Sequence, residues 1–179
     1  EKYLVADRDR VAMWRGRYSA LGPHFKVGIS WQAGGKPHER RKRSTGLADW
    51  APLFSLPNVQ FINAQYGECS AEIAAVREQF GWQILDFAEG DPLVDLDEFA
   101  AKLSALDLVV SVGNTTAHLA GALGVPVWVL LPTFPAWRWT MGGARNPWYG
   151  SVRATRQQTA GDWKPVVSEA ASRLCALLE

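Results

Sequence analysis

The chain has 179 residues, 47% of them hydrophobic and 21% charged, which is enough for one domain with a real core and too little for two large ones. A net charge of +1 supplies no global field to draw nucleic acid or a membrane surface, so any basic function must be local. The two cysteines, Cys69 and Cys175, stand far apart without metal-ligand spacing, which sets aside a disulfide framework or a zinc site and points to a reducing compartment.

The opening stretch EKYLVADRDR carries no leader pattern, and no apolar run is long enough to span a bilayer. A soluble, cytoplasmic setting is therefore expected. The first element, ADRDRVAMWRGRYSALGP, places Val11, Trp14, Tyr18 and Leu21 on one helical face and stops at Gly22-Pro23. Because it precedes the first strand, it is a candidate for packing against something outside the sheet, with ordinary core packing as the alternative.

Five β-rich runs follow, separated by helical patterns: Lys26 to Trp31, Val59 to Ala64, Trp82 to Phe87, Leu106 to Val112 and Pro126 to Leu131. Near-continuous apolar runs suit strands buried on both faces. The expected fold is a doubly wound, Rossmann-like α/β domain with a parallel sheet of about five or six strands. Between the strands, SAEIAAVREQFG reads as a helix capped by Ser70, buried through Ile73, Val76 and Phe80, and stopped by Gly81. VDLDEFAAKLSAL reads as a helix starting near Asp95 with Leu96, Phe99 and Leu103 inward. The last segment forms an amphipathic helix through Val166, Val167, Ala170, Leu174, Leu177 and Leu178.

Ligands of open α/β sheets bind outside the strand carboxyl ends, where the strand order reverses. With an order of 3-2-1-4-5, that crevice lies between the first and fourth strands. Two loops meet there. One, Gln32 to Gly46, carries Lys36, His38, Arg40, Arg41, Lys42 and Arg43; Lys42 and Arg43 stand next to Ser44 and are the cations expected to enter the crevice. The other is Gly113-Asn114-Thr115-Thr116, followed by an Ala/Leu-rich helix. Such a junction leaves helix N–H groups uncovered and offers two hydroxyls, an arrangement suited to an anion. It also occurs where a small-residue helix simply packs tightly on a sheet. His118 lies one turn into that helix, either facing the crevice or satisfied in the core. Glu68, after the second strand, is a candidate acceptor for ribose hydroxyls or a solvated loop acid. The first strand and its loop match neither a dinucleotide fingerprint nor a P-loop.

Taken in order, KVGISWQAGG, RRKRSTGLADWAPL, FINAQYGE, DPLVDLDEFAAKLSALDLVVSVGNTTAHLAGALGVPVWVLLP, WRW and NPWYGSVR resemble the C-terminal half of GT-B glycosyltransferases. The similarity is to the heptosyltransferase-like family nine and its bacterial relatives fused to tetratricopeptide repeats, and it covers nearly the whole chain. It implies a nucleotide diphosphate sugar bound by Lys42, Arg43, Glu68, Gly113, Asn114, Thr115, Thr116 and His118. The diphosphate would rest on Thr115 and Thr116, without a metal or other cofactor.

The resemblance also implies a partner. A GT-B enzyme has an N-terminal half that supplies the acceptor site and usually the general base, and nothing in this sequence corresponds to it. Residues 1–24 would then be a linker helix toward that half, and residues 25–179 the nucleotide-sugar domain. Val11, Trp14, Tyr18, Trp137, Trp139 and Trp148 are candidates for the interface between the halves or for ordinary core. The family carries Asp where this chain has Gly113, so that acid's contacts with the donor are lost. The alternative reading is a degenerate, non-catalytic domain that serves protein interaction.

Overall fold

The computed structural model describes residues 2–143 and 146–179. Six strands, β1 (Phe25–Ser30), β2 (Val59–Asn63), β3 (Ile84–Leu85), β4 (Leu108–Val112), β5 (Val127–Leu131) and β6 (Val152–Arg156), form one parallel sheet in the order β3-β2-β1-β4-β5-β6. The chain runs outward from β1 to β3 and then crosses to β4, so the reversal falls between β1 and β4, where Ser30 stands opposite Ser111. The expected doubly wound α/β fold is the one observed.

The helices are α1 (Arg8–Ser19), α2 (Pro37–Arg43), α3 (Ala51–Phe54), α4 (Ser70–Phe80), α5 (Leu96–Ser104), α6 (Thr115–Ala122) and α7 (Lys164–Leu178). They cover both faces of the sheet, which is why β1 and β4 are apolar with almost no alternation. On one face Trp14, Tyr18, Phe99, Leu103, Ala117 and Ala120 pack against Val109, Val127 and Val129. On the other, Trp31, Leu47, Trp50, Leu53, Val76 and Val167 pack against Val27, Ile29 and Val110.

Helix α1 is not directed outside the sheet. Trp14 and Tyr18 are fully buried in the first of these layers, against α5. The Trp14 indole meets Phe87 edge-on at 5.3 Å, and its Nε1 donates to Glu98 at 2.7 Å. Arg10 adds an ion pair with Asp95 at 2.9 Å. Polar tips thus close over an apolar contact, and Trp14 and Tyr18 are core residues.

Other local expectations shift by a residue or a turn. Helix α4 begins after Cys69, and the capping oxygen is that of Glu68, which accepts from the Ser70 N–H at 3.1 Å. Gly81 ends that helix at φ 73°, the left-handed conformation that favours glycine. Asp95 caps α5 by accepting from Glu98 N–H, but Leu96 points outward. Helix α7 lies on its own sheet beside α3, burying Val166, Val167, Ala170 and Leu174 and leaving Leu177 exposed.

Candidate functional site at the β1–β4 crevice

The carboxyl ends of β1, β2 and β4 are tied together by buried side-chain amides. The Gln65 side-chain oxygen accepts from Ser30 Oγ at 2.9 Å, Trp31 N–H at 3.0 Å and Gln32 N–H at 2.8 Å. Asn114, the cap residue of α6, accepts from the Ala117 N–H at 3.2 Å and from Ser111 Oγ at 3.0 Å. Its amide donates to Ser30 Oγ at 2.7 Å and to the Gln32 carbonyl at 3.0 Å. Every polar group of Asn114 is thereby occupied, so its side chain builds the crevice floor and has nothing left for a ligand.

Thr116 is also spent. It is fully buried, and its hydroxyl donates to the Ala64 carbonyl at 2.9 Å, pinning the start of α6 to the end of β2. The expected pair of ligand hydroxyls therefore reduces to Thr115, which is exposed at the first helical position. Backbone donors remain: the N–H groups of Thr115 and Thr116 come before any intrahelical acceptor. The positive end of the α6 dipole adds to them.

The basic segment is helical where a loop is expected, with Pro37 opening α2. Lys36, His38, Arg40, Arg41 and Lys42 are exposed. Arg43 folds back, and its guanidinium donates to the Gly34 carbonyl at 2.7 Å and to the Glu39 carbonyl at 3.4 Å. The loop itself is anchored: Ala33 N–H donates to Ser44 Oγ at 2.9 Å, and Gln32 is held by Asn114. The structure thus ties the loop that precedes the basic segment to the start of α6 through Asn114, and shows no contact between the cations of α2 and α6 among the described residues. Glu68 is exposed and engaged at the start of α4; its hydrogen bonds from Ser70 hold its carboxyl below the usual range.

Gly113 has a reason of its own. A Cβ built there would lie 2.6 Å from Trp139 Nε1 and 3.1 Å from Leu131 Cδ2. The indole of Trp139, which follows β5 in a single helical turn (Trp137–Trp139), occupies the space a side chain would need. Trp139 stacks on the His118 ring at 4.3 Å, and the Nδ1 of His118 is 3.0 Å from Tyr149 Oη. Burial, with a smaller contribution from the Arg138 charge, pushes the His118 pKa down to about 4. His118 is therefore neutral at physiological pH.

Sequence reasoning did not single out Gln65, Arg138 or Tyr149 for the site. Arg138 is exposed, sits over the Trp137 ring at 5.6 Å and is close enough to His118 to affect its protonation. Arg138 and Tyr149 lie within WRW and NPWYGSVR, where only the tryptophans are assigned a role from the sequence. Of the three tryptophans left open between interface and core, Trp139 is buried, while Trp137 and Trp148 are exposed and meet edge-on at 6.1 Å.

A hollow of about 740 Å³ lies at the opposite end of the sheet, between the N-terminal segment, α1 and the turns leading into β4 and β5. It is remote from the carboxyl ends where ligands of such sheets bind. Among the described residues, no three His, Cys, Asp or Glu side chains gather in metal-binding geometry, and no helix is long and apolar enough to cross a membrane.

No protein-family profile matches the chain. Protein FlbA of Caulobacter vibrioides is 38% identical over 173 residues, covering 96% of this chain and 28% of that protein. Among solved structures, ADP-heptose lps heptosyltransferase II of E. coli superposes with a TM-score of 0.64 at 17% identity, over 98% of this chain and 53% of the other. A glycosyl transferase family 9 protein of Veillonella parvula superposes with a TM-score of 0.58 at 14% identity, over 87% and 42%. The chain spans about a quarter of the curated relative and about half of each solved structure. It has the Rossmann-like α/β fold of a domain found in family-nine glycosyltransferases.

Proposed function

We propose that this chain is the donor-binding domain of a glycosyltransferase, holding a nucleotide diphosphate sugar in the β1–β4 crevice for transfer to an acceptor hydroxyl. The observation that carries this reading is the start of α6. Its cap is completed by Asn114, its first N–H groups remain available, and it opens at the point where the strand order reverses.

The mechanism follows from charge. As the sugar departs, negative charge grows on the diphosphate, and preorganised donors aimed at it lower the barrier. The start of α6 contributes about 0.3 to 1 kcal/mol when exposed and up to about 2 when partly buried. Each charge-assisted hydrogen bond, from Arg138 or a cation of α2, adds about 1.5 to 3 kcal/mol. These donors neutralise the leaving group without calling on a divalent ion. The general base that deprotonates the acceptor is expected outside this chain, on an N-terminal half. The exposed Trp137 and Trp148 suit the contact with that half.

Tetratricopeptide repeats on the same polypeptide and a cytoplasmic location belong to this reading. The free thiols of Cys69 and Cys175 are consistent with a reducing compartment.

Isothermal calorimetry with UDP, ADP, GDP and their common sugar conjugates, with and without magnesium, tests the proposal. Saturable binding of one nucleotide, weakened by Thr115→Tyr and by Arg138→Ala, supports it. No binding by any of them overturns it for this chain. A second reading, a non-catalytic interaction domain, is favoured by the indole of Trp139 standing where the resemblance puts an acidic side chain. Repeating the titration with the longest natural polypeptide that contains the chain separates the two.

A further inference from the structure

Tyr149 is held from several directions. Its ring lies against Gly121 of α6, where a Cβ would come within 2.7 Å of Tyr149 Cγ, so glycine is what admits the ring. Tyr3, in the segment anchored by two backbone hydrogen bonds to the Ala122 carbonyl, stacks on the other side at 5.8 Å. Asn146 fixes the backbone below by accepting from the N–H groups of Trp148 and Tyr149. This support brings Tyr149 Oη to 3.0 Å from His118 Nδ1, while the Tyr3 hydroxyl acts on the same phenol and, after burial, helps push its pKa up to about 12.

A neutral imidazole has one donor nitrogen and one acceptor nitrogen, and the bond made by one fixes the role of the other. A phenol is a stronger hydrogen-bond donor than a neutral imidazole N–H, and an imidazole nitrogen is a better acceptor than a phenol oxygen. The favoured arrangement is therefore Oη–H donating to Nδ1, which leaves the proton on Nε2. Nε2 makes no hydrogen bond among the described residues.

We propose that Tyr149 is a positioning residue that locks His118 in the Nε2–H tautomer, so that a half-buried, uncharged ring presents a single N–H donor to an anionic ligand of the crevice. The aromatic clamp of Trp139 keeps the ring from turning. The ligand part of this proposal rests on the donor-site reading above; the tautomer part does not.

The test uses the whole chain labelled with 15N on histidine, the His118 signals being identified by their loss in His118→Gln. Long-range 1H–15N correlation is expected to show Nδ1 as the bare, pyridine-type nitrogen and Nε2 as the protonated one. Tyr149→Phe, which keeps the ring and its stacking, is expected to convert this to an exchange-averaged pattern. A wild-type spectrum with the proton on Nδ1, or an unchanged pattern in Tyr149→Phe, overturns the proposal.

With UDP, ADP or GDP as the probe, Tyr149→Phe is expected to weaken binding roughly two- to tenfold. It should cost nothing further in the His118→Gln background; equal losses in both backgrounds overturn the link. If no nucleotide binds the wild type, the donor-site reading fails, and the spectra still decide whether Tyr149 sets the ring.

Discussion

The indole of Trp139 stands in the space that any side chain at position 113 would need, with Nε1 2.6 Å from the place of a Cβ. The two residues form one packing unit. Trp139 has little room to yield, since it stacks on His118 and its carbonyl accepts from the Arg156 guanidinium at 2.8 Å. Gly113→Ala and Gly113→Asp are therefore expected to cost about 1 to 3 kcal/mol through overpacking. Combining Gly113→Ala with Trp139→Phe should give less than the sum of the two single losses. Urea unfolding of the four proteins measures this, and strict additivity would break the pairing.

Thr115 and Thr116 are adjacent in sequence and have opposite roles. Thr116→Val deletes a buried hydroxyl and leaves the Ala64 carbonyl unpaired, so a loss of about 1 to 3 kcal/mol in stability is expected. Thr115→Ala, at an exposed position, should stay within about 0.5 kcal/mol of wild type. Asn114→Ala removes both a helix cap and the amide that joins β1 to β4, and should exceed either. Chemical denaturation ranks the three; a Thr115 variant as damaging as the Thr116 variant contradicts the assignment.

Acid should weaken the fold partly through His118. In the unfolded chain this side chain takes up a proton near its ordinary value of 6.5, while the folded protein resists protonation until about 4. The unfolded state thus binds more protons between those values, so stability falls as pH drops from 6.5 toward 4 and is unaffected by this group above that window. The groups acting on the ring are Tyr149, Trp139 and Arg138. His118→Phe keeps an aromatic face for Trp139 and removes the titration. Its stability is expected to fall less between pH 7 and pH 5 than that of wild type. Carboxylates such as Glu68 and Asp95, whose hydrogen bonds also hold them low, are common to both proteins and cancel in the comparison. Parallel loss in the two would remove His118 from the account.

Residues 2–24 carry core side chains, so cutting the chain at Phe25 should unfold the domain rather than trim it. Trp14→Ala alone is expected to cost about 3 to 5 kcal/mol, the usual range for removing a large buried aromatic. Circular dichroism during thermal melting distinguishes this from a dispensable linker. A truncated protein with an unchanged melting temperature would return α1 to the status of a connector.

The central strands of the sheet were legible because burial on both faces leaves uninterrupted apolar runs, as in LDLVVSV, whereas their order was only assumed. Strand β6 was not among the runs named, since VRATR has arginines on an edge strand and lacks that pattern. The junction after β4 was also legible as a place. The roles of its side chains were not, because Asn114 and Thr116 find their partners at Ser30, Gln32 and Ala64, and no local spacing encodes those distances. Trp14 stayed open between interface and core for a related reason: its position before the first strand says nothing of α5, which covers it. Periodicity reports which face of an element is apolar, whereas the identity of the neighbour is set by topology.

The uneven exposure of the tryptophans gives the crevice an optical signature. Of the nine, Trp14, Trp31, Trp50, Trp139 and Trp163 are buried, Trp82 and Trp128 are half-buried, and Trp137 at 72% and Trp148 at 50% exposure stand together in the segment between β5 and β6. A water-soluble quencher such as iodide reaches this exposed pair most readily, Trp82 and Trp128 in part, and the buried five hardly at all. The fraction of emission open to quenching therefore falls when a nucleotide or a neighbouring domain covers Trp137 and Trp148, and a variant with both changed to Phe gives the background left by Trp82 and Trp128.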